Sequence, residues 1–200
     1  MRLGKPKNTA PYRETTMLEI KFHGRGGQGV VIASQMLGMA FFRKDMYPQC
    51  YSLFGGERRG APVVSFLRVG NEKILLKCEI KNPNELIIFE PSLLDPQEVR
   101  SVMPLGSKIL INSRIKPDFL SELTDYRVGL VDAQSIADSL ELGHVINTAI
   151  LGAYCRFTGH IQIESFVETV HDMAPQRKEI NAEAARQGYE KVTTINGNHL

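Results

Sequence analysis

Four glycines within six residues form the part of this sequence with the clearest chemical meaning. They follow a short alternating run, Leu18 to Phe22, and precede a mostly apolar segment. A strand, a glycine turn and a helix in this order direct unpaired backbone N–H groups towards an anion. We therefore predict that this turn binds a phosphate or approaches the backbone of a partner, with Arg25 as a charged donor. The residues assigned to this contact are Gly24, Arg25, Gly26, Gly27, Gln28 and Gly29.

Two nucleotide-binding motifs resemble this turn and neither is complete. The spacing of Gly24, Gly26 and Gly29 matches the dinucleotide fingerprint, but no acidic residue stands near 50–52, where the second strand should end. The ATP-binding P-loop requires Lys and Ser or Thr where this chain has Val30-Val31. A stand-alone dinucleotide-binding oxidoreductase stays open as an alternative. A turn whose glycines only let helix and sheet pack closely is another, and an alanine at Gly26 would show whether a positive φ is required.

A second glycine-rich stretch, residues 51–62, carries two adjacent arginines, Arg58 and Arg59. Its composition favours a loop. Arginine side chains suit carboxylates and phosphates. Because loops at the carboxyl ends of strands face one crevice in a doubly wound sheet, we expect both loops to lie together. We assign Arg58 and Arg59 to cofactor or partner contacts, and a solvated cluster with Glu57 is the alternative.

The sequence offers no catalytic constellation and no clustered metal ligands, so we predict no catalytic and no metal site. Cys50, Cys78 and Cys155 lie far apart, whereas an iron–sulfur cluster normally needs four thiolates. Reduced cysteines indicate a cytoplasmic setting. A net charge of +2 gives no case for nucleic acid, and no apolar run reaches the ~20 residues of a membrane helix. Such a chain is typical of one part of a larger assembly.

Seven short segments, most of them apolar, are predicted to be strands. They are Leu18–Phe22, Met46–Cys50, Val63–Val69, Ile74–Cys78, Leu86–Phe89, Lys108–Ile111 and Arg127–Val131. The third and fourth flank Gly70-Asn71-Glu72-Lys73, which predicts an antiparallel hairpin. The expected fold is therefore α/β, with a mainly parallel sheet, a glycine turn after the first strand, an antiparallel hairpin and C-terminal helices.

Five helices are predicted from apolar spacing and capping residues. They are Val30–Arg43, Ala133–Leu142, His144–Phe157, Glu164–Met173 and Gln176–Lys191. The first is apolar almost all round and should be buried, and Asp132 should cap the second. We expect a flexible basic arm at 1–16, a single α/β domain at 17–192 and a tail at 193–200.

Several stretches, in this order, resemble the gamma subunits of 2-oxoacid:ferredoxin oxidoreductases, especially the pyruvate and branched-chain members. The two glycine-rich loops and a run before the C-terminal helices carry the resemblance, which covers about residues 18–192. The matching stretches are HGRGGQG at 23–29, FGGERRGAP at 54–62, PSLLD at 91–95, VDA at 131–133 and NTAILGA at 147–153, followed by Asn181, Ala184 and Gly188.

This resemblance implies a multi-subunit enzyme that converts a 2-oxoacid and coenzyme A to acyl-CoA and carbon dioxide. It implies thiamine diphosphate with magnesium on alpha and beta subunits, iron–sulfur clusters on a ferredoxin-like delta subunit, and ferredoxin or a similar electron acceptor. The gamma subunit would bind no cofactor alone, pack on the catalytic subunits and help form the coenzyme A approach. A ligand-free assembly scaffold is the remaining alternative, and the sequence does not name the 2-oxoacid.

Overall fold

In the computed structural model, residues 17–54 and 60–195 are described, with the side chain of Phe54 left out. The predicted arm at 1–16, the arginines Arg58 and Arg59, and residues 196–200 of the predicted tail lie outside them. The strands are β1 (Leu18–Arg25), β2 (Tyr47–Phe54), β3 (Pro62–Gly70), β4 (Glu85–Ile88), β5 (Lys108–Asn112), β6 (Arg127–Val131) and β7 (Thr193–Ile195). The helices are α1 (Val30–Phe42), α2 (Pro96–Val102), α3 (Ala133–Ser139), α4 (Asn147–Thr158), α5 (Ile163–Met173) and α6 (Lys178–Lys191).

The described strands form one sheet in the order β2-β3-β1-β4-β5-β6-β7. Its centre is parallel, since β1, β4, β5 and β6 run in one direction. Strands β2 and β3 extend it as an antiparallel pair on one side, and β7 adds an antiparallel strand on the other. The predicted fold class is confirmed.

The predicted position of the hairpin is wrong. Ile74–Cys78 contains no strand, and Leu75 and Leu76 are 79% and 46% exposed, so their side chains do not fill a sheet face. The antiparallel partners of β3 are β2 and β1 instead. The segment after β3 is held by Arg68 of β3, whose guanidinium donates to the carbonyl of Cys78 at 2.6 Å. An alternating pattern cannot distinguish a strand from an extended segment held by side chains.

Other boundaries differ where capping and pairing decide them. The predicted cap of α3 is confirmed, because a carboxylate oxygen of Asp132 accepts from the Ser135 amide at 2.9 Å. Helix α2 was not predicted, although it has Pro in its first turn and an Asp95 cap. Thr193–Ile195, assigned to the tail, pairs with β6. Helix α4 begins at Asn147, three residues after the predicted start.

Side chains pack on both faces of the sheet. Helices α1, α3, α4, α5 and α6 cover one face, and α2 with a short 3-10 segment, Asp118–Glu122, covers the other. Helix α1 is less buried than predicted, because Ile32, Met39 and Phe42 remain 44%, 39% and 60% exposed. One side of α1 therefore packs on the sheet, and the other side exposes apolar side chains.

At the edge of the sheet where the parallel strands begin, a buried carboxylate links three parts of the fold. Glu85 accepts hydrogen bonds from the Tyr154 hydroxyl at 2.6 Å and the His160 Nε2 at 2.8 Å. Lys108 Nζ lies 3.1 Å from the same carboxylate. The cluster adjoins an open pocket of about 420 Å³ that is also lined by Leu18 and Leu105. The contacts of Glu85 therefore hold the starts of β4 and β5 to the end of α4.

Candidate functional site

The glycine turn lies at the opposite edge, where the parallel strands end. Strand β1 continues to Arg25, so Gly24 lies inside the strand rather than in the turn. A Cβ at Gly24 would lie 2.5 Å from Val30 Cγ2 and 2.8 Å from Phe89 Cβ. Gly24 therefore allows β1, α1 and the end of β4 to approach closely, as expected of a packing glycine.

Positive φ angles in the turn occur at Gly27 (101°) and Gly29 (76°), and not at Gly26. Gly29 is the N-cap residue of α1, and no side chain caps that helix. The side-chain oxygen of Gln28 instead accepts from the Arg25 amide at 2.8 Å and holds the turn closed. The first N–H groups of α1 thus lack an intrahelical partner, which is the arrangement that suits an anion.

The second loop lies beside this turn where it is described. The Gly26 amide donates to the Ala61 carbonyl at 2.9 Å, and the Gly60 amide donates to the Gly26 carbonyl at 3.2 Å. Their predicted proximity is confirmed, and so is the reason for it. Strands β1 and β2 run in the same direction on either side of β3, so both end at this edge of the sheet, where Pro62 at the start of β3 pairs with Arg25 at the end of β1. Arg58 and Arg59 belong to the loop but fall outside the described residues.

The guanidinium of Arg25 connects the loop to the end of β4. It donates to the Gly60 carbonyl at 3.1 Å and to the Ser92 hydroxyl at 3.2 Å. The Ser92 hydroxyl in turn donates to Glu90 at 3.0 Å. These contacts show a positioning role for Arg25, which the sequence did not predict.

Two further residues organise this edge and were missed as site residues. Asn147, the first residue of α4, is 4% exposed, and its Nδ2 lies 2.9 Å from where a Gly29 Cβ would stand. The beginnings of α1 and α4 are therefore adjacent, and the partial positive charges of two helix N-termini add at one place. Asn112 accepts from the Ala133 amide and donates to the Phe89 carbonyl, both at 3.0 Å. In the sequence, Asn147 stands out only as the first residue of the stretch NTAILGA that resembles the family, and its spacing and residue type alone do not indicate a site.

The charged groups around this edge have shifted pKa values with clear causes. Burial raises the pKa of Asp132, but hydrogen bonds from Ser135 and the contact with Arg114 outweigh burial and lower it overall. Burial and then the charge of Lys21 lower the pKa of His23 in β1, against a smaller opposing effect of Glu98. His23 is therefore neutral near pH 7, and Asp132 is a carboxylate committed to capping α3.

The described residues contain no group of three or more His, Cys, Asp or Glu side chains placed to hold a metal ion. Cys50, Cys78 and Cys155 are all free thiols. None of the helices in the described ranges combines the length and apolar character needed to cross a membrane. The topology also differs from a dinucleotide-binding sheet, because the strand after α1 is an antiparallel edge strand and not a parallel neighbour of β1.

Comparison with known proteins decides the family. Residues 19–191 match the family described as pyruvate ferredoxin/flavodoxin oxidoreductase. The chain belongs to this family. It is 40% identical over 180 residues to the pyruvate/ketoisovalerate oxidoreductases common subunit gamma of Pyrococcus furiosus, covering 88% of this chain and 97% of the relative.

Other family members agree. The pyruvate synthase subunit PorC of Methanothermobacter marburgensis is 38% identical over 179 residues, covering 88% of this chain and 98% of that protein. The crystal structure of the pyruvate oxidoreductase subunit PORC from Thermotoga maritima superimposes with a TM-score of 0.78 at 31% identity, covering 90% and 99% of the two chains. The resemblance to gamma subunits is confirmed over residues 19–191.

Alanine substitutions at the two positive-φ glycines separate the cost of the left-handed backbone conformation from the cost of close packing. A Cβ at Gly27 would meet nothing within 4 Å, whereas one at Gly29 would meet Asn147 at 2.9 Å. Gly27→Ala should therefore lower the free energy of unfolding by about 1 kcal/mol, because alanine is less stable than glycine in the left-handed conformation. Gly29→Ala adds an overlap with a buried side chain and should cost about 2–3 kcal/mol. Urea unfolding followed by circular dichroism measures both, and equal costs would show that Asn147 does not constrain the turn.

Proposed function

We propose that this chain is the gamma subunit of a multi-subunit 2-oxoacid oxidoreductase that oxidatively decarboxylates a 2-oxoacid to acyl-CoA. The observation that carries the proposal is the family match over residues 19–191, together with relatives named as gamma subunits. Electrons would pass to ferredoxin or a similar acceptor. The names of the relatives favour pyruvate or a branched-chain 2-oxoacid over an aryl one.

The chemistry is assigned to the partner subunits. Three dispersed thiols do not fit an iron–sulfur cluster, which supports placing the clusters on a ferredoxin-like delta subunit. Thiamine diphosphate and magnesium are proposed to lie on the alpha and beta subunits, where the 2-oxoacid would react. This chain would pack on them in the cytoplasm, a reducing compartment that suits free cysteines.

The edge formed by the glycine turn is the proposed coenzyme A approach. Coenzyme A carries phosphates, and the uncapped start of α1 beside the start of α4 offers backbone N–H groups and partial positive charge. Arg25 would hold the second loop in place through Gly60. Arg58 and Arg59 in that loop would pair with phosphates of coenzyme A or with acidic groups of the catalytic subunits.

The test is an Arg58→Ala/Arg59→Ala double variant in the reconstituted complex. We expect the KM for coenzyme A to rise about ten-fold or more, because one charge-assisted hydrogen bond contributes about 1.5 kcal/mol or more. The 2-oxoacid KM should not change. The matched control is Arg186→Ala on α6, whose arginine pairs with Glu164 at 3.3 Å away from this edge.

Four outcomes separate the possibilities. A raised coenzyme A KM with intact subunit composition supports a coenzyme A contact, and loss of a subunit from the complex supports a partner contact. If neither property changes, the arginine assignment is wrong. If the isolated chain binds a dinucleotide or turns over a 2-oxoacid unaided, the gamma-subunit proposal itself fails, since it requires activity only after the partner subunits are added back.

A further inference from the structure

The outer edge of β2 has unusual composition for an exposed strand edge. Among the described residues β2 pairs only with β3, so its other side carries unpaired backbone groups. Its sequence, YPQCYSLF, contains no charged residue, and Tyr47 and Leu53 are each 49% exposed. Natural edge strands are usually protected by charged side chains, bulges or covering segments. Pro48, which lacks an N–H, is the only such protection within β2.

An exposed apolar stripe on α1 accompanies this edge. It consists of Ile32, Met39 and Phe42, which we call the α1 stripe, and the polar Gln35 is exposed on the same face. Phe42 lies one helical turn after Gly38, and Gly38 packs on Cys50 of β2, where a Cβ would stand 2.9 Å from the thiol sulfur. Residues four apart share a helix face. Phe42 therefore lies on the side of α1 next to β2, and the other residues of the α1 stripe lie further towards the exposed side of the helix.

Neither α1 nor β2 contains an Asp, Glu, Lys or Arg residue. The nearest cations after α1 already have partners in this chain. Arg43 pairs with Asp172 and with Glu168, and Lys44 donates to the His160 carbonyl at 2.6 Å. Charge complementarity contributes to the selection of a different protein as partner, and the described part of this surface provides little of it. A second copy of the same surface needs no complementary charge.

The geometry of such a pairing is self-consistent. A two-fold axis perpendicular to the sheet pairs β2 with its copy in antiparallel fashion and leaves both α1 helices on one face. Helix α1 packs over β2 and β3 and, less extensively, over β1, so it lies inside the edge of the sheet. The two α1 helices would therefore flank the two-fold axis on the same face, with the α1 stripes on their facing sides.

We propose that this face is a two-fold interface between two copies of this chain, in which Gln49–Leu53 of β2 form a continuous sheet and the α1 stripes pack together. Pro48 ends the ladder because it cannot donate. The interface lies on the β2 side of the sheet and does not use the glycine turn. The proposal is therefore independent of the coenzyme A assignment.

The test is sedimentation velocity of the full chain from about 2 to 100 µM, combined with amide hydrogen exchange. We expect a species of twice the 22.4 kDa chain mass. The Gln49–Leu53 amides that face away from β3 should become more protected as the concentration increases. Phe42→Glu would place a carboxylate in the apolar contact and should weaken dimerisation at least about ten-fold. Met39→Lys repeats the test with the opposite charge.

The control is Ile115→Glu, which adds the same charge at another apolar side chain, 74% exposed, beyond the end of β5. It should leave the dimer unchanged, and circular dichroism should show native folding in all variants. A monomer at 100 µM, a dimer insensitive to both stripe variants, or a dimer without protection of β2 would each overturn the proposal. So would protection that appears only when a different subunit is added.

Discussion

Replacing Gly152 with alanine should lower the free energy of unfolding by about 3–4 kcal/mol, a loss that only the reciprocal change at Gly188 should match among the described glycines. Helices α4 and α6 are in backbone contact where they cross. A Cβ at Gly152 would overlap the Ala185 carbonyl, with its carbon only 2.6 Å away. The reciprocal position is Gly188, whose Cβ would lie 2.7 Å from the carbonyl carbon of Ala149. Backbone cannot move aside as a flexible side chain does, so the helices must separate.

Urea unfolding followed by circular dichroism measures this loss, since the chain has no tryptophan. Glu183→Ala is the matched control, because it changes an exposed side chain on α6 and should shift stability by no more than about 0.5 kcal/mol. Gly188→Ala should reproduce the loss seen at Gly152. A Gly152→Ala protein as stable as the control would mean that α4 and α6 tolerate a wider separation than their packing indicates.

This helix crossing shows why a sequence reveals some parts of the fold and not others. Strand β4 and helix α1 are apolar runs bounded by turn residues, and both were predicted nearly in place. Helix α6 reads as polar because it buries small residues, among them Ala185 and Gly188, rather than large apolar ones. Small side chains contribute little to the spacing of large apolar residues from which a buried helix face is predicted. Their role becomes visible only when a second backbone is found against them.

Some features of the candidate site were likewise predicted from the sequence, and others were not. The glycine turn was predicted because glycine spacing is a local property of the sequence, and the structure places Gly27 and Gly29 in the left-handed conformation that glycine favours. The contact of Arg25 with Ser92 joins residues far apart in sequence. So does the approach of Asn147 to Gly29. Composition and periodicity contain no information about such pairs, which depend on strand order.

Glu85→Gln should cost about 2–3 kcal/mol of unfolding free energy at neutral pH. The carboxylate is 4% exposed and lies at the centre of the buried cluster with Tyr154, His160 and Lys108. Removing one member of a buried charge pair leaves the other charge without compensation, at a cost of about 3–5 kcal/mol. Lys108 is 20% exposed, so water reduces that cost. The glutamine amide would also direct a donor towards groups that already donate.

The pH dependence of this loss identifies its cause. Burial raises the pKa of Glu85, but hydrogen bonding to His160, the charges of His160 and Lys108 and the Tyr154 hydrogen bond together lower it below its ordinary value. A carboxyl whose pKa is lowered by folding stabilises the native state above the unfolded value of about 4.3, and this contribution disappears as the pH falls through the folded value. The difference between wild type and Glu85→Gln should therefore be full above about pH 5.5 and should decrease as the pH falls below about 4.3. Glu98→Gln, which removes an exposed partner 3.0 Å from Lys21, should cost no more than about 1 kcal/mol. A Glu85→Gln loss that persists undiminished at pH 3 would show that packing, and not the buried charge, holds the starts of β4 and β5 to the end of α4.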